Sequence, residues 1–319
     1  MEPKRIYLDT NQWITLARVV NGSETDPDLI EVYQKIKKLS DSEEAIFPIS
    51  FFHLEDMMIH KNKDRLEGLI DFMVTISRGW VIRPYNLLMY EEISNAALHR
   101  LGRQSFYDIR SKMIARGLPH AISTGYEITW NKSAKVPENF EQKLKEITES
   151  PESTSKLLKS NGMSNHFQQG RKLYIDTAKK MEESRTKNLM LKNEERYNAA
   201  IADYIYNIVG ELLEKFLSGA TQDVIGKVIP KTKSEMEAFL EDMPATNIVF
   251  RLTYGRDGFY QREIQTNDIT DVNHLSGAIP YCDIVVMERM FASLSQQLKL
   301  DKKYGCTVLR SLKELNKMI

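Results

Sequence analysis

Ile6-Tyr7-Leu8-Asp9-Thr10-Asn11-Gln12-Trp13 decides how the rest of the chain is read. Three apolar residues in a row, after Lys4-Arg5 and before an acid, fit a short buried strand better than the start of an amphipathic helix. In open parallel sheets ligands bind beyond the carboxyl ends of strands, and that is where Asp9 falls. Asp9 or Asn11 fits a plainer reading equally well, as the cap of a helix beginning near Gln12. Other acids reaching the same crevice would decide between the two.

Ala45-Ile46-Phe47 and Gly79-Trp80-Val81-Ile82 repeat the short apolar run, the latter ended by Pro84. Between the first two runs, Asp26-Pro27 supplies an N-cap and a proline for the first helical position. Ile30, Tyr33, Ile36 and Leu39 then recur at helical spacing. Far along the chain, Ile284-Val285-Val286-Met287 and Thr307-Val308-Leu309 are further strands, each followed by a helical stretch. Strands alternating with helices predict an α/β fold with a parallel sheet flanked by helices. The middle has another texture. Residues 166–217 contain no proline, and Leu173, Ala178, Met181, Leu189, Tyr197, Ile201, Ile205 and Ile208 suggest long amphipathic helices. Residues 130–164 are polar and read as a loop. The expected organisation is a core made of residues 1–84 and 244–319, split by a mostly α-helical insertion at 85–243.

Lys+Arg and Asp+Glu both number 44, so any polyanion site must come from local segregation of charge. The two cysteines, Cys282 and Cys306, are too few for a disulfide framework and lack metal-ligand spacing. With no apolar h-region at the start and no apolar run of roughly 20 residues, no membrane association is expected, and a cytoplasmic location is the simplest reading.

Glu55 follows the second strand on a helix that Ser50 can cap. Asp271 and His274 stand three apart, on one face if their segment is helical. Asp283 precedes the run Ile284–Met287 and Glu288 ends it, the latter repeating the situation of Asp9. Clustered carboxylates raise one another's pKa and are costly unless a cation fills the cluster. Magnesium takes oxygen ligands and keeps several waters, which leaves room for a phosphate.

Leu8-Asp9-Thr10-Asn11, Ser50 with Glu55, Asp271, and Val286-Met287-Glu288-Arg289-Met290-Phe291 together resemble the PIN-domain family. Asp271, His274 and Pro280-Tyr281-Cys282-Asp283 resemble a PIN-like subgroup in which that combination occurs. The resemblance covers roughly residues 1–80 and 265–319. In two places this chain departs from the family's Thr-x-Asp, with Val286 for the threonine and Glu288 for the aspartate. The family's acids bind one or two divalent ions that activate water for attack on a phosphodiester, most often in RNA. The resemblance therefore implies an endoribonuclease using Mg2+ or Mn2+, with Asp9, Glu55, Asp271 and Glu288 catalytic. Asp9, Asp271 and Glu288 would hold the metal with Asp283 as a further ligand. Asn11 would orient Asp9 or reach a phosphate, and His274 would contact substrate or metal, although a lone helix histidine is more often structural.

Arg103 and Arg110 lie in a basic stretch with His99, Arg100, Lys112, Arg116 and His120, interleaved with Phe106, Tyr107, Tyr126 and Trp130. Such a stretch could track single-stranded or structured RNA, although a solvated helix face with the aromatics in the core is the plainer reading. Three rival functions remain. A catalytically silent module would bind RNA or a protein, and a DNA nuclease would use the same acids. A phosphatase with a strand-end nucleophile would need an acid at Asn11. The insertion is larger than a minimal PIN domain needs. It suits a regulatory partner, a homo-oligomer contact or a gate, as in a toxin or phage-defence effector.

Overall fold

Ile6, Tyr7 and Leu8 are fully buried, as an unbroken apolar strand is when both faces of its sheet are covered. A computed structural model of the chain describes residues 2–57, 63–122, 139–159, 172, 174–183, 185–186, 191–259 and 263–319. Its strands are β1 (Lys4–Leu8), β2 (Ala45–Ile46), β3 (Ile49–Ser50), β4 (Trp80–Ile82), β5 (Ile114–Arg116), β6 (Ile284–Val286) and β7 (Thr307–Leu309). Four of them form one parallel sheet in the order β2-β1-β6-β7. Helices flank that sheet, and the chain as a whole is mostly helical. The α/β expectation holds in this coarse form.

The sheet joins the two ends of the sequence. Ile6, Tyr7 and Leu8 pair with Ile284, Val285 and Val286 in parallel register. Alternation then assigns the faces. Ile6, Leu8, Ile284 and Val286 enter one core with Trp13, Ile36 and Met73. Tyr7 and Val285 enter a second with Leu275 and Phe291. A third cluster, built from Met89 to Phe250, belongs to the helical middle.

Strands β3, β4 and β5 form a second sheet, parallel between the first pair and antiparallel between the second. Neither β3 nor β5 was expected, and β5 lies inside the stretch read as helical. The polar stretch read as a loop is helical where it is described, at Phe140–Glu149 and Pro151–Leu158. That helix pair rests on the second sheet through Gly117 at φ +96°, where a Cβ would come within 2.6 Å of the Thr148 carbonyl oxygen. Tyr126 and Trp130 lie outside the described residues. Among the described residues, no helix is long and apolar enough to cross a membrane.

One buried acid ties the middle to the core. Glu92, on the helix Tyr85–Arg100, accepts the Ala245 N–H at 2.8 Å, the Thr246 N–H at 3.0 Å and the Thr246 hydroxyl at 2.7 Å. The Tyr281 hydroxyl donates to it at 3.0 Å. It thus satisfies donors at the start of the helix Pro244–Phe259 and the end of Thr266–Tyr281. Burial nevertheless pushes its carboxyl up. Glu92→Leu orphans these donors and is expected to cost on the order of 3 kcal/mol or more in urea unfolding. An unchanged midpoint would show that water replaces the carboxylate.

Candidate functional site

Asp9 and Glu288 are brought together by strand register. Leu8 pairs with Val286, so Asp9 leaves β1 beside Met287, and Glu288 follows one residue later on the adjacent strand. The Asp9 N–H donates to the Val286 carbonyl at 2.9 Å, which extends the ladder to the acid itself. Both acids are N-caps, Asp9 of Thr10–Val20 and Glu288 of Arg289–Gln297. Two helix N-termini, with their partial positive charge, therefore face one crevice at the carboxyl end of the sheet.

Asp271 completes the cluster from the helix Thr266–Tyr281. Desolvation pushes its carboxyl up to about 9, reinforced by the negative charges of Asp9, Glu288, Asp56 and Asp268. Asp9, only 6% exposed, is raised to about 6 by desolvation, with His274 and the Thr10 N–H opposing. Glu55 is raised to about 7 by the same burial effect, while a hydrogen bond from the Tyr174 hydroxyl at 2.8 Å pulls the other way. Among the described residues, no Lys or Arg forms an ion pair with Asp9, Asp56, Asp271 or Glu288. Among the described residues, the basic side chain that meets these acids is His274, whose Nε2 lies 3.0 Å from Asp56.

Asp56 is the member that sequence reading missed. It accepts the Thr10 hydroxyl at 2.7 Å and the His274 Nε2–H at 3.0 Å, and its charge acts on both Asp9 and Asp271. Behind it runs a buried chain. Tyr7 Oη lies 2.9 Å from Ser50 Oγ and hydrogen-bonds His274 Nδ1, and the opposite ring nitrogen of His274 meets Asp56. Next to this chain, His53 donates Nε2–H to the Leu8 carbonyl at 2.8 Å and accepts the Ser50 N–H at 2.9 Å. Burial holds the His53 imidazole neutral, well below the usual histidine range. The two histidines thus anchor the crevice floor. Asp56→Asn removes one negative charge and leaves His274 facing an amide. It is expected to lower the activity of this crevice by about 10- to 100-fold, the scale of losing a hydrogen-bond partner that orients a metal ligand, with the fold kept by circular dichroism. Unaltered activity would reduce Asp56 to a structural acceptor.

Several expectations need correction. Asp283 precedes β6, so it sits at the opposite end of the sheet, where it accepts the Arg5 N–H at 2.8 Å. It cannot join Asp9. Asn11 donates to Glu288 Oε1 at 2.6 Å, and so orients Glu288 and not Asp9. His274 is 3% exposed and committed on both ring nitrogens, which makes it a positioning group and not a substrate contact. Arg110 is an electrostatic neighbour of Tyr281, ten residues and hence roughly 15 Å along the helix from Asp271. Arg103 lies beyond the end of Tyr85–Arg100, in an exposed turn. Among the described residues, neither arginine forms an ion pair with an acid of the crevice.

The donor chemistry suits a hard divalent cation, because Asp9, Asp271 and Glu288 all offer carboxylate oxygens. Among the described residues, however, no three His, Cys, Asp or Glu side chains already stand in metal-holding geometry. Partly protonated acids that repel one another are the expected state of such a crevice without a cation. No family model, curated protein or solved structure matches the chain.

Proposed function

We propose that the chain is a divalent-metal-dependent endoribonuclease, using Mg2+ or Mn2+ at the crevice formed by Asp9, Asp271 and Glu288. The observation that carries this reading is the convergence itself. Burial raises the carboxyls of Asp9 and Asp271, from the two ends of the sequence, and the charges of Glu288 and Asp56 raise both further, with no Lys or Arg paired to them among the described residues. Uncompensated repulsion of this kind persists in a fold only where something gains from it, and a cation site is the most direct gain.

When bound, the cation supplies a water of lowered pKa and a clamp for charge developing on the phosphate. The chain's own residues have separate tasks. Asn11, in the first turn of the helix Thr10–Val20, holds the longer Glu288 side chain by donating to its Oε1. Thr10 and His274 fix Asp56 from two sides. Glu55, with its carboxyl near 7, can accept a proton from the attacking water at neutral pH. A strand-end phosphatase lacks support, since Asn11 carries no acidic proton and is already engaged by Glu288.

A silent binding module is favoured by one observation, the Tyr174 hydroxyl occupying Glu55. Incubation of the purified chain with Mn2+ and end-labelled single-stranded RNA or DNA separates these readings. Internal cleavage of RNA, abolished by EDTA, supports the nuclease. RNA retention without cleavage supports the silent module, and equal cleavage of DNA widens the substrate class.

A further inference from the structure

The helical middle encloses a cavity of about 590 Å³, within the range typical of small-molecule sites. One wall is the Thr266–Tyr281 helix, which contributes Asp268, Ile269, Val272 and Asn273. At 100° per residue Asp271 and His274 fall on the opposite face, so one helix separates this cavity from the carboxylate crevice. The facing wall is aromatic. It includes Tyr204, which opens the π-helical turn Tyr204–Val209, a geometry concentrated at functional sites. Phe250 and Tyr254 also line it, their rings near-parallel at 17° with centroids 6.1 Å apart.

The polar groups narrow the ligand class. Arg256 is bound to Asp268 at 2.9 Å and to the Glu263 carbonyl at 2.6 Å. Arg185 pairs with Glu182, and Arg196 donates to the Leu191 carbonyl at 3.2 Å. A phosphate would therefore meet cations that are already engaged. Asp257 differs. Among the described residues its hydrogen-bond partner is Arg256 at a long 3.3 Å, and burial pushes its carboxyl up to about 6. Among the described residues it has acceptor capacity to spare. A neutral, planar ligand with adjacent N–H donors fits aromatic walls and a carboxylate together, and guanine presents two such donors side by side.

We propose that this cavity binds a guanine-type base or nucleoside, packed on Phe250 and Tyr254 and hydrogen-bonded by Asp257. Thr177 and Met181, also in its lining, lie on the same face of helical residues 174–183 as Tyr174. Tyr174 hydrogen-bonds Glu55 and has Asn273, which lines the cavity, as an electrostatic neighbour. A bound base thus touches residues on both sides of Tyr174 and biases its hold on Glu55. This coupling rests on the nuclease reading, whereas the binding does not.

Isothermal titration of the full chain with guanosine tests the binding. Saturable binding to the wild type is expected. With adenosine, or with Asp257→Asn, it should weaken by about tenfold or more, the scale of a lost hydrogen bond to a charged group. Thr253→Trp, which fills the cavity, should abolish it; should that variant not fold, Asp257→Asn carries the test alone. Absence of saturable heat at about 1 mM guanosine overturns the proposal, as does equal binding to wild type and Asp257→Asn. Competition by a short single-stranded RNA containing one G, but not by an all-A strand, assigns the base to an RNA chain. Lack of competition assigns it to free nucleoside. In the cleavage assay guanosine should alter the wild-type rate and leave that of Tyr174→Phe unaffected. A wild type that binds guanosine yet cleaves nothing counts against the nuclease and not against the site.

Discussion

Asp9→Asn is expected to lower Mn2+-dependent RNA cleavage by about 10³-fold, with little change in fold. The size follows from the several kcal/mol of charge stabilisation that a metal site contributes to a transition state, at about 1.4 kcal/mol per tenfold. The substitution keeps shape and leaves the backbone cap in place, since the Gln12 and Trp13 N–H groups donate to the Asp9 carbonyl, not its side chain. What it removes is one negative charge at the point where β1 and β6 end together. Gel assays at matched protein concentration, with melting temperature as a control for folding, measure the effect. Cleavage within threefold of wild type would mean that Asp9 only caps its helix, and the proposed site would lose its central member.

The same reasoning explains why Asp9 was legible in the sequence and Asp56 was not. A run of three apolar residues followed by an acid specifies both a buried strand and the end at which the acid lies, because chain direction is known. Glu288 followed from the same rule. Asp283 should have been rejected by it, since an acid before a strand stands at the amino end, away from the crevice. Glu55 and Asp56 are neighbours on one helix, Phe51–Met57, and point about 100° apart. Sequence alone does not say which of the two faces inward, and the structure makes both count. Strands β3 and β5 escaped for a related reason. Ile49-Ser50 is too short to show alternation, and Ile114-Ala115-Arg116 owes its extended form to pairing with Val81 and its neighbours, a tertiary cause. His274 was visible as a residue but not as a role, because its partners Tyr7 and Asp56 come from remote parts of the chain.

Thermal stability should show the cation even if no substrate is found. In the metal-free chain Asp9, Glu55 and Asp271 have carboxyls near 6, 7 and 9, all above the 3.8 to 4.5 of an open chain. The folded state therefore holds more protons than the unfolded one between about pH 4 and pH 9. Linkage then gives the sign. The stability these groups contribute is complete below pH 4 and is lost as pH rises through 6, 7 and 9. Mn2+ competes with those protons for the same oxygens, so its stabilising effect should grow from pH 6 to pH 8. At a hundredfold excess over its Kd the gain is about 2.7 kcal/mol, on the order of 4 °C in a chain of this size. Asp271→Asn should flatten the pH dependence and remove most of the Mn2+ increment together, since one carboxylate underlies both. A melting temperature that ignores Mn2+ at pH 8 would mean that the acids repel for some reason other than holding a metal. An increment retained in full by Asp271→Asn would place the ion elsewhere on the chain.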